Sequence, residues 1–244
     1  MISLNKLKGI VHELHLNDLA KSMNECRKDT HGGFLIPTSA KVTDSEYARY
    51  RHLPIDWSLP PITNDDLPEE FSPRAVKTVD MFRRKTFNLI DECMIYFDYK
   101  TGHIVSCNFS RKSEQNKVQG DVYPIVLKDM HIASLHNHPN QYYSPPSGKN
   151  FQMLGFDFEE FELVISHKEL WILESSEHVF SEEEIEEIRK DVDDFFNQNF
   201  EEVNHDFKKE YHVLDNVDIR YGNYLLSYLN NYNHIKLIRR FLNE

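Results

Sequence analysis

Cysteine is scarce in this sequence, and the few cysteines lie far apart. Only three occur among the 244 residues, at positions 26, 93 and 107, and none forms a Cys-x-x-Cys pair. A disulfide framework needs paired cysteines, and a cysteine-based zinc site needs closely spaced ones. The sequence therefore predicts neither of them, and it favours a reducing, cytoplasmic compartment.

Long apolar runs are also absent from the sequence. No segment approaches the ~20 apolar residues of a membrane helix, and residues 1–20 carry charges and histidines where a signal peptide would have an apolar core. We therefore expect no membrane partner and no export signal. The composition, 40% hydrophobic with 12% aromatic residues, predicts a substantial buried core.

Basic residues are outnumbered by acidic ones. The chain has 28 Lys and Arg against 40 Asp and Glu, which gives a formal net charge of −12. Such a chain repels the phosphate backbone, so we expect no nucleic-acid partner. A negatively charged surface remains compatible with binding basic or neutral proteins and peptides.

Hydrophobic periodicity and turn residues divide the chain into three predicted parts. Residues 1–71 combine a helix with a proline-rich arm that lies over a domain, residues 72–175 form the central domain, and residues 176–244 form a C-terminal helical extension.

Three helices have clear start signals or periodicity. Ser72 followed by proline is a good N-cap, and Ser181 with Glu184 forms a capping box. We expect the basic residues of the first helix, Lys77, Arg83, Arg84 and Lys85, to lie on a solvated face. The predicted helices span residues 73–91, 182–200 and 218–241.

Five strands are expected from apolar runs, and four of them form two pairs. Residues 92–98 and 103–109 predict a β-hairpin with a glycine in its turn. Residues 161–165 and 170–173 predict two further strands whose near-continuous apolar character indicates burial on both faces.

Two histidines follow a short apolar run between the two predicted strand pairs. Residues 132–135 predict a buried strand, which ends at His136, Asn137, His138 and Pro139. Because residues i and i+2 of a strand point to the same face, His136 and His138 can direct their rings at one point. This geometry suits a metal bound at the mouth of a sheet, where the strand ends. The sequence continues through Ser144 to Asn150.

The order of these features resembles the JAMM (JAB/MPN) metalloprotease family. Glu92 opens a strand of a hairpin, His-Asn-His-Pro follows, and Ser147 stands three residues before Asn150. The His-Asn-His-Pro wording and the later strands look most like the RadC-like bacterial branch, and the resemblance covers roughly residues 72–174. It implies an α+β fold, the three-layer, cytidine-deaminase-like JAB/MPN fold, in which helices flank a central mixed β-sheet.

The resemblance also implies a zinc-dependent hydrolase acting on peptide or isopeptide bonds, with a ubiquitin-like conjugate among the candidate substrates. His136 and His138 would bind Zn²⁺, and Glu92 would be the general base for the zinc-bound water. Ser147 would stabilise the oxyanion. Tyr142 and Tyr143, in the loop between the motifs, could line a substrate groove or merely shield the site.

The sequence departs from the family pattern at two points. Eight residues separate His138 from Ser147 where the family has seven, and Asn150 stands where the family has a ligating Asp. An Asn carbonyl is a neutral donor, so as the third ligand it would weaken zinc binding. Two alternatives therefore stay open: a catalytically inactive, JAMM-like scaffold that binds proteins, and a RadC-like protein of a mobile-element or defence system.

Overall fold

Seven ranges of the chain are described by the computed structural model. The predicted N-terminal helix and both tyrosines of the motif loop, Tyr142 and Tyr143, lie outside these ranges. Among the residues described, no helix has the length and apolar character needed to cross a bilayer. The described residues are 46–110, 130–139, 144–155, 159–175, 180–206, 222–231 and 235–242.

The first long helix, α1 (Pro73–Thr86), begins as its sequence predicts. Ser72 accepts a hydrogen bond from the Ala75 amide, and proline occupies the first turn. The helix ends at Thr86, before the predicted end at residue 91. Ile90 is consequently 63% exposed instead of lying on the apolar face of the helix.

A six-stranded mixed sheet forms the centre of the fold, as expected for an α+β protein. The predicted hairpin is present, and Gly102 in its turn has φ +73°, where an added Cβ would lie 2.7 Å from the Arg74 backbone. The strands are β1 (Cys93–Asp98), β2 (Ile104–Phe109), β3 (Ile132–Asn137), β4 (Glu159–Ile165), β5 (Glu169–Ser175) and β6 (Ile235–Phe241).

Strand β3 occupies an inner position in the sheet. The strand order is β2-β1-β3-β4-β5-β6, and β3 pairs antiparallel with β1 and parallel with β4, while the other neighbours are antiparallel. The chain passes from β3 to β4 through a 3₁₀ helix (Gly148–Gly155). The end of β3 that carries the histidines therefore lies next to the 3₁₀ helix, β1 and β4.

Helices cover both faces of the sheet. On one face, α1 and residues 46–71 pack in a large apolar core that includes Leu135 of β3. On the other face, the 3₁₀ helix, α2 (Glu182–Asp206) and α3 (residues 222–229) pack over β4, β5 and β6. The capping box of α2 is formed as predicted, with the Ser181 amide bonded to the Glu184 carboxylate at 2.7 Å.

Two of the four basic residues predicted to lie on a solvated face of α1, Arg83 and Arg84, are buried, so the prediction is wrong for them, whereas Lys77 is exposed. Arg83 and Arg84 are 2% and 6% exposed. Arg83 donates to the Pro60 carbonyl at 3.0 Å, and Arg84 donates to the Asp56 carbonyl at 3.2 Å and to Asp80 at 2.8 Å. The irregular, proline-rich segment cannot pair these carbonyls within itself, so the helix supplies their donors.

The predicted last helix is also wrong over its second half. Residues 222–229 are helical, but Ile235–Phe241 forms β6, paired with β5. The Asn230 side chain accepts from the Leu237 amide at 3.0 Å and donates to its carbonyl at 3.4 Å. The backbone groups of β6 form hydrogen bonds with β5 on one side and, at Leu237, with the Asn230 side chain on the other. These hydrogen bonds replace the ones that a continued helix would supply.

Candidate metal centre

The end of strand β3 brings two imidazole nitrogens together. The Nε2 atoms of His136 and His138 are 3.2 Å apart, close to the ~3.3 Å between two nitrogens bound to one tetrahedral Zn²⁺ at ~2.05 Å. Asn137 points to the opposite face, where its carbonyl accepts from the Cys93 amide at 2.7 Å. Because side chains alternate between the two faces of a strand, the rings of His136 and His138 converge, as the sequence predicts.

Both histidines are electrically neutral near pH 7. Burial lowers the pKa of His138 to about 4, and burial together with the nearby His138 lowers the pKa of His136 well below its usual value. Two neutral Nε2 atoms at 3.2 Å must share either a proton or a cation, since two lone pairs repel. Neutral imidazole is also the form that binds metals.

The outer nitrogens of the two rings face different groups. Nδ1 of His138 lies 2.5 Å from the Ser144 hydroxyl. Nδ1 of His136 is buried without a hydrogen-bond partner in the described ranges, and the nearest carboxylate oxygen, Oε1 of Glu162, is 3.6 Å away. Such outer partners fix the tautomer and the orientation of metal-binding histidines.

Asn150 lies beside the histidines with its amide nitrogen towards them. Its Oδ1 accepts from the Ser147 amide at 2.7 Å and from the Ser147 hydroxyl at 3.2 Å. Its Nδ2 donates to Glu162 Oε1 at 2.8 Å and lies 3.3 Å from His136 Nε2. The backbone amide of Ser147 can only donate, so this orientation of the Asn150 amide is the one that satisfies all its neighbours.

Two buried carboxylic acids lie behind the histidines on strand β4. Burial, and then the neighbouring Glu159, raise the pKa of Glu162 well above its usual value, while burial raises the pKa of Glu159 to about 8. The nearby Ser134 hydroxyl lowers the pKa of Glu159 and so offsets part of this increase. The two groups are nevertheless not at the distance and angle of a hydrogen bond. A protonated carboxylic acid is the form expected here at neutral pH.

Glu92, the base candidate, immediately precedes β1 and is 8% exposed. Met94 pairs with His136 in the antiparallel ladder. Continuing that register by two residues sets Glu92 opposite His138 and on the same face as both imidazoles. The backbone carbonyl of Glu92 accepts from the Ser110 amide at 2.8 Å, which extends the hairpin ladder to this position.

Ser147, the oxyanion candidate, is exposed just before the 3₁₀ helix. Its contacts with Asn150 keep it beside the imidazole pair. Within the described parts of the chain, no group of three or more His, Cys, Asp or Glu side chains is close enough to hold a metal ion. The candidate centre is therefore a two-histidine site with Asn150 next to it.

Two other histidines serve elsewhere. His131, at the start of β3, lies 3.2 Å from the Glu160 carboxylate on the surface. The His167 ring stacks on Phe87 with centroids 4.3 Å apart. Both rings therefore have contacts of their own outside the imidazole pair.

Sequence reasoning missed two groups that contact the imidazoles, Ser144 and Glu162. Glu162 had a signal, because it is a carboxylate inside the apolar run Phe161-Glu-Leu-Val-Ile165, and such a charge is rarely buried without a partner. Ser144 had none, since serine before proline is common in loops.

Comparison with known proteins adds no relative: no family model, no curated protein and no solved structure matches this chain.

Proposed function

We propose that this chain is a zinc-dependent, JAMM-like hydrolase of peptide or isopeptide bonds. The observation that carries the proposal is the 3.2 Å separation of the His136 and His138 Nε2 atoms at the end of an inner strand. At this spacing the two neutral imidazoles can share a proton or a cation, and the separation is also that of two imidazole ligands on one Zn²⁺. The mixed sheet with its hairpin preceding the histidine strand agrees with the fold that the resemblance implies.

Each residue of the site then has a role. His136 and His138 hold the metal, which when bound supplies a water of lowered pKa and polarises a carbonyl. Glu92, on the same face as both rings, takes the proton from the attacking water and returns it to the leaving amine. The exposed Ser147 hydroxyl donates to the oxyanion that develops on the substrate. Ser144 orients the ring of His138 through their 2.5 Å contact.

The experiment begins with metal content. The purified protein is equilibrated with Zn²⁺, desalted and measured by atomic emission, and we expect about one zinc per chain. His136→Ala should lose it. The matched control is His131→Ala, which removes an exposed histidine next to the same strand and should leave the zinc content unchanged. Absence of zinc from the wild-type protein would contradict the proposal.

Hydrolysis is tested next on the zinc-loaded protein, with a mixed peptide library and a ubiquitin-like isopeptide conjugate as probes. Glu92→Gln should retain zinc and lose turnover, since a base worth about 10²–10⁴-fold in rate is removed. Retained turnover in this variant would contradict the assignment of Glu92 as the general base.

The orientation of Asn150 favours a second candidate, a catalytically inactive scaffold that binds proteins. The atom nearest His136 Nε2 is the amide nitrogen, which cannot ligate a metal. A protein that binds zinc and cleaves neither probe under these conditions would favour this scaffold over the hydrolase.

A further inference from the structure

The outermost strand on one side of the sheet, β6, has an open backbone edge. Next to this strand, the Leu242 amide donates to the Lys168 carbonyl, just before β5, at 2.7 Å. In an antiparallel ladder, residues that bond to the neighbouring strand alternate with residues whose backbone groups point away from it. The even-numbered residues of β6 therefore bond to β5, and the odd-numbered ones present their N–H and C=O groups at the open edge.

Asn230 already occupies one of these outward positions. Its side-chain amide accepts from the Leu237 amide at 3.0 Å and donates to the Leu237 carbonyl at 3.4 Å, as a residue of a neighbouring strand would. Within the described ranges, the outward backbone groups of Arg239 and Phe241 have no such partner. The edge thus binds an amide group at one position and is open at the next two.

A groove of about 570 Å³ runs along this edge. Residues 67–70 line it from the face of the sheet that α1 covers, and Leu226 of α3 lines it from the opposite face. The volume is in the range of ligand-binding clefts, about 300–1,000 Å³. A second copy of this chain would bring the same walls into the same space, so a single extended segment fits the groove better.

The strand that lines the groove combines positive charge with an exposed aromatic ring. β6 has three basic residues and no acidic one, in a chain whose formal net charge is −12. Lys236 and Arg239 form ion pairs with carboxylates of β5, whereas Arg240 is exposed and has no ion pair within the described ranges. Phe241 is 61% exposed. Between paired strands, opposite charges attract and aromatic rings pack against apolar side chains.

We propose that the open edge of β6 binds an extended peptide segment of a partner protein as an added strand. An acidic side chain of the peptide lies beside Arg240, and an apolar one lies beside Phe241. Hydrogen bonds to the backbone of β6 supply affinity, and these two side-chain positions supply selectivity. The strands β4 and β5 separate β6 from the histidine strand, so this binding does not depend on the metal centre.

The wall of the groove limits the charge of the peptide. Glu69 and Glu70 are exposed there and repel a peptide that carries many acidic residues. The expected pattern is therefore one acidic residue within an alternation of apolar and neutral polar residues.

Fluorescence anisotropy with a labelled peptide tests the proposal. The probe is about six residues long, an ordinary strand length, and alternates valine with threonine around one central glutamate. The full-length protein should bind it, and the same peptide with lysine in place of glutamate should bind about three- to tenfold more weakly. Absence of binding by the glutamate peptide would overturn the proposal.

N-methylation of the peptide distinguishes an added strand from other modes of binding. Only every second amide of an added strand faces its neighbour. Methylating one alternate set of amides should therefore abolish binding, and methylating the other set should preserve most of it. Equal effects of the two sets would contradict strand addition.

Protein variants test whether the peptide binds at β6. Arg240→Glu should weaken binding of the glutamate peptide about three- to tenfold, because repulsion replaces attraction, and Phe241→Ala should weaken it through lost apolar contact. The matched control, Arg74→Glu, makes the same charge change on an exposed part of α1 outside the groove and should bind like the wild type. Both altered residues of β6 are exposed, so the variants should unfold within a few degrees of the wild type. Unchanged binding in both would overturn the assignment to this edge.

Light scattering after size-exclusion chromatography, without peptide, tests the other occupant of the groove. The wild type and Phe241→Ala should have the same molecular mass. A wild-type dimer that becomes a monomer in this variant would show that a second copy covers the edge, which overturns the proposal of a peptide partner.

Discussion

The two faces of strand β3 differ in how their polar groups are satisfied. On the face covered by α1 and residues 46–71, Ala133 and Leu135 belong to a continuous apolar core. The one polar side chain of β3 on this face, Asn137, has hydrogen bonds to the Cys93 amide and the Asp91 carbonyl. This face has the features of a structural core.

On the opposite face, buried polar atoms of the same strand and its neighbour remain without partners in the described ranges. These atoms are Ser134 Oγ, His136 Nδ1 and Glu159 Oε1. An unpartnered buried polar group costs about 1–3 kcal/mol, so folding alone would not favour such a cluster. The two faces of β3 thus differ: the polar side chain on one face is hydrogen-bonded, whereas these atoms on the other face have no partner among the described residues.

The largest effect is expected from the apolar face. Leu135→Ala removes a fully buried side chain from the core, and we expect it to lower the free energy of unfolding by about 2–5 kcal/mol through lost burial and a cavity. Urea unfolding monitored by circular dichroism measures this change in the free energy of unfolding. The matched variant on the other face, Ser134→Ala, should change stability by less than about 1 kcal/mol, because it removes a hydroxyl without a partner. Similar losses in both variants would contradict the comparison.

A somewhat smaller effect is expected where residues 46–71 join α1. Asp80 accepts from the Ile62 amide at 3.0 Å and from Arg84 at 2.8 Å. Asp80→Ala leaves the buried arginine without its carboxylate, and we expect a loss of about 2–4 kcal/mol in the free energy of unfolding. The control is Lys236→Ala, which breaks an exposed ion pair with Glu174 and should cost less than about 1 kcal/mol. If Asp80→Ala and Lys236→Ala lower the free energy of unfolding equally, the buried Asp80–Arg84 pair does not anchor residues 46–71 to α1.

The smallest effect concerns pH and the polar face. The pKa of Glu159 is raised to about 8 in the folded protein, whereas an unfolded chain releases this proton near its ordinary pKa of ~4.5. The folded state therefore binds more protons between these values, and stability falls as the pH rises, by up to ~1.4 kcal/mol per pH unit for this group.

Glu159→Gln should therefore flatten the decline in stability between pH 6.5 and 8. The histidines do not contribute in this window, because their lowered pKa values make stability fall only as the pH drops below ~6.5. Urea unfolding at several pH values measures the slope. A slope identical to that of the wild type would show that Glu159 is already ionised in the folded protein.

Part of the candidate site follows directly from local sequence. The convergence of His136 and His138 needs only the two-residue repeat of a strand, and the placement of Ser147 beside Asn150 needs only a three-residue spacing. Glu92 required the pairing of β1 with β3, which the hairpin pattern does not predict, and the sequence singled out Glu92 only through the resemblance to the JAMM family. The position of Glu162 next to the histidines depends on the parallel register of β3 and β4, in which Ser134 pairs with Glu162. No local sequence pattern predicts that register.

The sequence by itself determined the elements whose signals are local: the N-caps of α1 and α2, the hairpin with Gly102, and strand β3 with its two histidines. Tertiary structure decided the features whose partners are distant. Arg83 and Arg84 became buried because carbonyls more than twenty residues earlier needed donors. Ile235–Phe241 became a strand because β5 offered it a partner. Backbone groups must be paired wherever water is excluded, and this requirement overrides local preference.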